Sequence, residues 1–141
     1  MSDFYRRLTD FGYQAGDNLE QKTRKSFLIY LILLLGIGAI IWGTIAVAYG
    51  LLIQAIIPYG YVFLSVINLF FYSRSSNFAI ARDFQISISI ILPFMFQGVL
   101  GGFLASGFLM LWAIPPLISA LFFQKPKQSL KWLVLFILLI L

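Results

Sequence analysis

The chain has 141 residues, with no cysteine, no histidine and only five acids: Asp3, Asp10, Asp17, Glu20 and Asp83. Without cysteine there is no disulfide framework and no thiolate metal site. Without histidine the commonest metal ligand and neutral-pH proton shuttle is missing as well. The five acids all lie outside the long apolar runs, so they supply no paired carboxylates, no base beside a nucleophile and no ligand cluster. Charge of either sign is scarce, at 11% of residues against 61% hydrophobic, and the mean hydropathy of +0.95 lies outside soluble usage. The first 26 residues hold no apolar h-region and no A-x-A cleavage pattern, so they do not read as a cleavable signal peptide.

What fills the chain is apolar sequence in five runs. Residues 27–49 carry no charge over 23 positions, which at about 1.5 Å per residue crosses a hydrocarbon core of roughly 30 Å. Gly50 interrupts that run. Residues 51–72 follow as a second span bearing Gln54, Pro58, Ser65 and Asn68, and the spacing predicts a tight helical hairpin. Beyond "SRSSNFAIARD" come spans at 84–103 and 107–123, joined by the turn "LASG". A fifth run starts at Trp132 and reaches Leu141, ten residues or about 15 Å of helix, half of what a bilayer demands. The expectation is therefore an all-α membrane protein, a polytopic bundle with five spans visible, the fifth truncated, and six in the complete protein.

Charge placement orients the bundle. Five of the ten basic residues precede the first span (Arg6, Arg7, Lys22, Arg24, Lys25), two separate the second from the third (Arg74, Arg82), and three separate the fourth from the fifth (Lys125, Lys127, Lys131). The one-two and three-four turns carry none. The positive-inside rule then places the N-terminus and both charged loops in the cytoplasm. The net charge of +5 reads as topology and contact with anionic headgroups, not as a nucleic-acid surface. Within the N-terminal segment 1–26, "GDNLEQKTRKS" offers Asp17 as N-cap with Glu20 three residues on, predicting a juxtamembrane helix that runs into the first span. "MSDFYRRLTDFGYQ", with its four aromatics, suits an amphipathic segment on the membrane surface. Tyr49, Tyr59, Tyr61 and Trp132 are expected in an interfacial aromatic belt. Ala39 with Gly43, and Ala46 with Gly50, are small-xxx-small pairs of the kind that mark helix–helix faces.

The stretch "LPFMFQGVLGGFLASGFLMLWAIPPL", residues 92–117, is apolar but rich in helix breakers. Pro93 is expected at mid-depth in the third span and Pro115-Pro116 at mid-depth in the fourth, each freeing a backbone carbonyl. "GVLGGF" lacks the lysine and the strand-loop-helix context of a phosphate loop. Two readings remain. The prolines and glycines kink and pack the helices, or they line an outward-opening pocket for a small or lipophilic ligand. The candidates for that pocket are Pro93, Gln97, Gly101, Gly102, Ser106, Trp112 and Pro115. The absence of ionisable residues inside the spans argues against a conducting pathway.

Residues 16–141 resemble the N-terminal membrane domain of bacterial class III adenylate/guanylate cyclases. The resemblance is carried by "DNLEQKTRK", "IIWGTI", "IPYGY" and above all by the LP-F, Q, LGGF, SG, W and P-L order in residues 92–117. It implies a six-helix module of the bacterial inner membrane that anchors, dimerises and senses. A cytoplasmic catalytic domain beyond it would form cyclic AMP or cyclic GMP as a homodimer, using a divalent metal such as Mg or Mn. No catalytic, cofactor or metal residue is carried onto this chain. The alternative class is a small standalone membrane protein, such as a transporter component or assembly factor.

Overall fold

A computed structural model of the chain describes residues 16–75, 77–124 and 126–141. The expected amphipathic segment 1–14 lies outside them. Among the described residues the fold is all-helical: α1 (Leu19–Ala48), α2 (Leu52–Ser75), α3 (Phe78–Val99), a short 3-10 helix (Leu109–Ala113), α4 (Ile114–Phe123) and α5 (Pro126–Ile140). Three helices, α1, α2 and α3, are long and apolar enough to cross a membrane.

α1 starts one residue later than the cap expected at Asp17. Asn18 accepts from the Gln21 N–H at 2.8 Å, while the Gln21 side chain accepts from the Asn18 N–H at 3.0 Å, a reciprocal capping box. Asp17 is otherwise engaged, since it takes the Lys25 ammonium at 2.6 Å with both side chains nearly buried. The helix then continues for 30 residues, so the basic segment and the first apolar run form one rod.

Glycine-capped turns of one design end α1 and α3. At the end of α1 the Leu51 N–H reaches Ala46 O and the Gly50 N–H reaches Val47 O, both at 2.9 Å. At the end of α3 the Gly102 N–H reaches Gln97 O at 3.0 Å and the Gly101 N–H reaches Gly98 O at 3.2 Å. These are Schellman motifs, which need a left-handed residue just past the helix. Gly50 and Gly101 supply it, with φ of +76° and +98°. The same pattern closes a third turn, from Phe108 N–H to Phe103 O and from Gly107 N–H to Leu104 O. "GVLGGF" is thus a helix stop.

The fourth span expected at 107–123 does not form as one helix. Gly107 and Phe108 are left-handed, residues 109–113 wind as a 3-10 helix, and α4 is only ten residues long. Pro115 and Pro116 fall in the first turn of α4, where a missing N–H breaks nothing, and not at mid-helix. The third helix also starts earlier than expected: Asn77 caps it, accepting from the Ile80 N–H, so "FAIARD" is helical.

α3 is the central element. Ile86 and Ile90 have no exposed surface, and they pack with Phe94, Ala113, Ala120 and Trp132 against α4 and α5. On its other side α3 contributes Ile88 to a core with Leu31, Leu35 and Tyr61 of α1 and α2. Large apolar side chains such as Leu34, Ile37, Phe63 and Phe70 cover the outside of the bundle.

Candidate functional site

Two features stand out within the bundle, a polar seam and an apolar cavity, and they share two side chains. The seam follows helical spacing on facing helices: Tyr61, Ser65 and Asn68 on α2 meet Ala81, Gln85 and Ser89 on α3. Positions four or so apart lie above one another on a helix, so each triplet makes one continuous stripe. Asn68 Nδ2 donates to Ala81 O at 2.9 Å and to Gln85 Oε1 at 3.0 Å. Gln85 Nε2 in turn donates to the Tyr61 hydroxyl and to Ser65 Oγ, each at 2.9 Å. Tyr61 and Ser89 close the series with an O–O distance of 3.1 Å. All five side chains are buried, and each has at least one partner, as groups removed from water must.

The cavity, of about 60 Å³, begins where the seam ends. Tyr61 and Ser89 form its polar floor, Trp42, Phe96 and Trp112 contribute aromatic walls, and Pro58 and Pro93 face it from α2 and α3. Its geometry has local causes. Pro93 has no N–H to give to the Ser89 carbonyl, which loosens α3 at that level. Gly38 lets the Trp112 ring come so close that a Cβ there would stand 2.8 Å from it. Among the described residues, none that is charged lines the space.

At the other end of the bundle, Asp83 is a junction between α3 and the α4–α5 connection. Its carboxylate accepts from Arg82 at 2.8 and 2.9 Å, from Gln124 Nε2 at 2.9 Å and from Lys131 Nζ at 2.8 Å. Gln124 also accepts from the indole N–H of Trp132 at 3.1 Å, and the Lys131 ammonium lies 4.4 Å from the Trp132 ring centre. Arg74 and Arg82 belong to this charged end, whereas Gly50 and Gly101 mark the uncharged one.

Of the seven residues expected at a pocket, Pro93 and Trp112 line the cavity together. Gln97 is buried elsewhere, its Oε1 accepting from the Met110 N–H at 3.2 Å and so holding the 3-10 helix to the end of α3. Gly101 and Gly102 form the α3 stop, and Ser106 donates to Phe103 O within the following loop. Pro115 starts α4. Tyr61 and Trp132, both expected in an aromatic belt, are buried within the bundle, Tyr61 in the seam and Trp132 against Gln124. Gly43 accommodates the Tyr59 ring of α2, which explains one small-residue pair within the bundle. Gln85 was not among the candidates. The signal that points to it is the polar spacing of Gln85 and Ser89 set against Ser65 and Asn68.

Among the described residues, the hydroxyls of Tyr61 and Ser89 are accompanied by no carboxylate, lysine or histidine in the cavity lining, and no group of three potential metal ligands exists. Compared with known proteins, the chain matches no family model, no curated sequence and no solved structure.

Proposed function

We propose that the chain is the anchoring, dimerising and sensory input module of a bacterial class III nucleotidyl cyclase, held in the inner membrane with its N-terminus in the cytoplasm. The cyclase output is supported by the motif order in residues 92–117. The sidedness is supported by the gathering of Arg74, Arg82 and Lys131 at one end of the bundle, opposite the glycine turns. The apolar outer faces suit contact with lipid, and a class III output calls for a second copy of the chain. The observation that carries the sensory reading is the sharing of Tyr61 and Ser89 between the cavity floor and the α2–α3 seam. A molecule in the cavity touches the group that ends the seam. It acts as a signal to the extent that it binds two arrangements of that seam with different affinity.

The test is cyclic nucleotide production in membranes by the full-length gene product, beside the same protein lacking residues 1–141. Production that loses its level or its regulation in the truncated form supports the proposal. No cyclic nucleotide from either, with expression confirmed, overturns it.

A further inference from the structure

We infer that the cavity among α1, α2, α3 and the 3-10 helix takes the end of an unbranched, uncharged hydrocarbon chain, held by packing alone. The inference rests on reading this cavity as an input site and names the class of molecule that enters it.

The cavity lies where three irregularities meet. Pro58 and Pro93 each remove a backbone donor from one of two facing helices. Leu109 and Trp112 come from the 3-10 helix, whose tighter winding does not interlock with the ridges of regular helices. Water does not suit the space that remains, because a buried water needs two or more polar partners. The hydroxyls at the floor are engaged in the seam: Ser89 with Tyr61, and Tyr61 also with Gln85 and Ser65. Only 5% of Tyr61 and 1% of Ser89 is exposed, and among the described residues no buried side-chain nitrogen or oxygen lacks a partner. What faces the space is almost all carbon. A polar or charged group entering there is stripped of water without compensation, whereas a hydrocarbon loses nothing.

Size selects the shape. An apolar cavity of about 150 Å³ takes a benzene ring. At about 60 Å³ this one takes a narrower body, and because it is partly open the rest of a chain extends outward. Outside the bundle the exposed side chains are apolar, Ile37, Ile40 and Phe63 among them, so the chain continues into hydrocarbon. Filling a void of about 60 Å³ is worth about ten-fold in occupancy, at about 24 cal/mol for each Å³.

The experiment uses the whole chain in vesicles of methyl-branched phytanoyl phosphatidylcholine, with Trp132→Phe so that the remaining tryptophans, Trp42 and Trp112, both line the cavity. The probe is 1-bromoundecane, whose bromine quenches tryptophan on contact, with concentrations taken as mole fractions in the bilayer. A saturable component of quenching is expected above the linear one that bulk lipid contact gives. Undecane should displace it at about ten-fold lower concentration than 1,4-dicyclohexylbutane, which carries a ring at both ends. Undecanol and methyl undecanoate carry partners for a hydroxyl or for the indole N–H of Trp42 or Trp112, and they should displace within about two-fold of undecane. A preference of about ten-fold for either polar compound, the worth of one hydrogen bond, overturns the inference. Equal displacement by the ring-ended compound, or no saturable component at all, also overturns it. Ala39→Leu places further carbon in the lining and should abolish the saturable component alone, and a component that survives with the helical circular dichroism unchanged refutes the location. The displacement series needs no variant of the lining, so it decides the matter even where Ala39→Leu misfolds. In straight-chain phosphatidylcholine, weaker probe binding identifies lipid tails as the natural occupant and unchanged binding identifies a diffusible aliphatic compound; both support the class. None of these readings involves cyclic nucleotides, so failure here leaves the test of the cyclase proposal standing.

Discussion

Replacing Gln85 with leucine tests whether the seam holds α2 to α3. Gln85 takes part in three interhelical hydrogen bonds, to Asn68, Tyr61 and Ser65, and has no exposed surface. Interhelical hydrogen bonds in membranes average about 0.6 kcal/mol, because the separated helices find other partners within the bilayer. Gln85→Leu, close in volume, is therefore expected to cost about 2 kcal/mol. Asn68→Leu removes two bonds and should cost about 1 kcal/mol. The pair shares the Asn68–Gln85 bond, so the double variant should fall short of additivity by about 0.6 kcal/mol. The assay is reversible unfolding in mixed micelles with increasing dodecyl sulfate, followed by far-UV circular dichroism. Strict additivity, or a cost below about 0.3 kcal/mol for Gln85→Leu, would refute the claim that these side chains form one network.

Two glycines separated by one position should respond in opposite directions. Gly36→Ala, with nothing within 4 Å of the new methyl, should stabilise α1 by about 0.5–1 kcal/mol. Gly38→Ala drives a Cβ into the Trp112 ring and should cost about 1–3 kcal/mol and shift tryptophan emission, both read in the same unfolding titration. Asp83→Ala removes the acceptor shared by Gln124 and Lys131, so α5 should dock less tightly. The chain has no native cysteine, and cross-linking between Phe94→Cys and Phe136→Cys, whose rings meet at 5.4 Å, should slow several-fold in the Asp83→Ala background, as loss of about 1 kcal/mol from a partly exposed ion pair implies. For sidedness, Leu104→Cys should react with an impermeant maleimide on intact spheroplasts and Lys127→Cys only after permeabilisation; the reverse pattern refutes the orientation.

Much of the fold is legible where a single residue type has a single physical consequence. Gly50 ends α1 because only a residue tolerant of positive φ closes that turn, and the uncharged α1–α2 hairpin follows from it. The fourth span was not legible as it stands. An apolar run reports the solvent it suits but not the winding of the backbone, and residues 107–113 are as apolar as any helix while turning left-handed and then 3-10. Pro115 and Pro116 look like mid-helix breakers until Gly107 and Phe108 are seen to delay the helix start. At the site, Pro93 and Trp112 were visible as irregularities in an apolar segment. Tyr61 was not, because an aromatic phenol suits an interface as well as a buried bond, and only the facing Gln85 decides between them. Gln85 falls at the very start of the span expected at 84–103, where a polar side chain suits the headgroup level, whereas Asn77 has already started the helix eight residues earlier.

The glycine turns bear on how the protein enters the bilayer. In the proposed orientation the ends that must be translocated are those at Gly50 and Gly101. They carry no charge, and the carbonyls of Ala46, Val47, Gln97 and Gly98 are already bonded within the turns. Passing such a turn through hydrocarbon strips little water from the backbone, whereas the Asp83 end, with its cluster of ions, would lose much. α1 and α2 are thus shaped to insert together as a preformed hairpin, led by the turn, with the ionic end left behind as the brake.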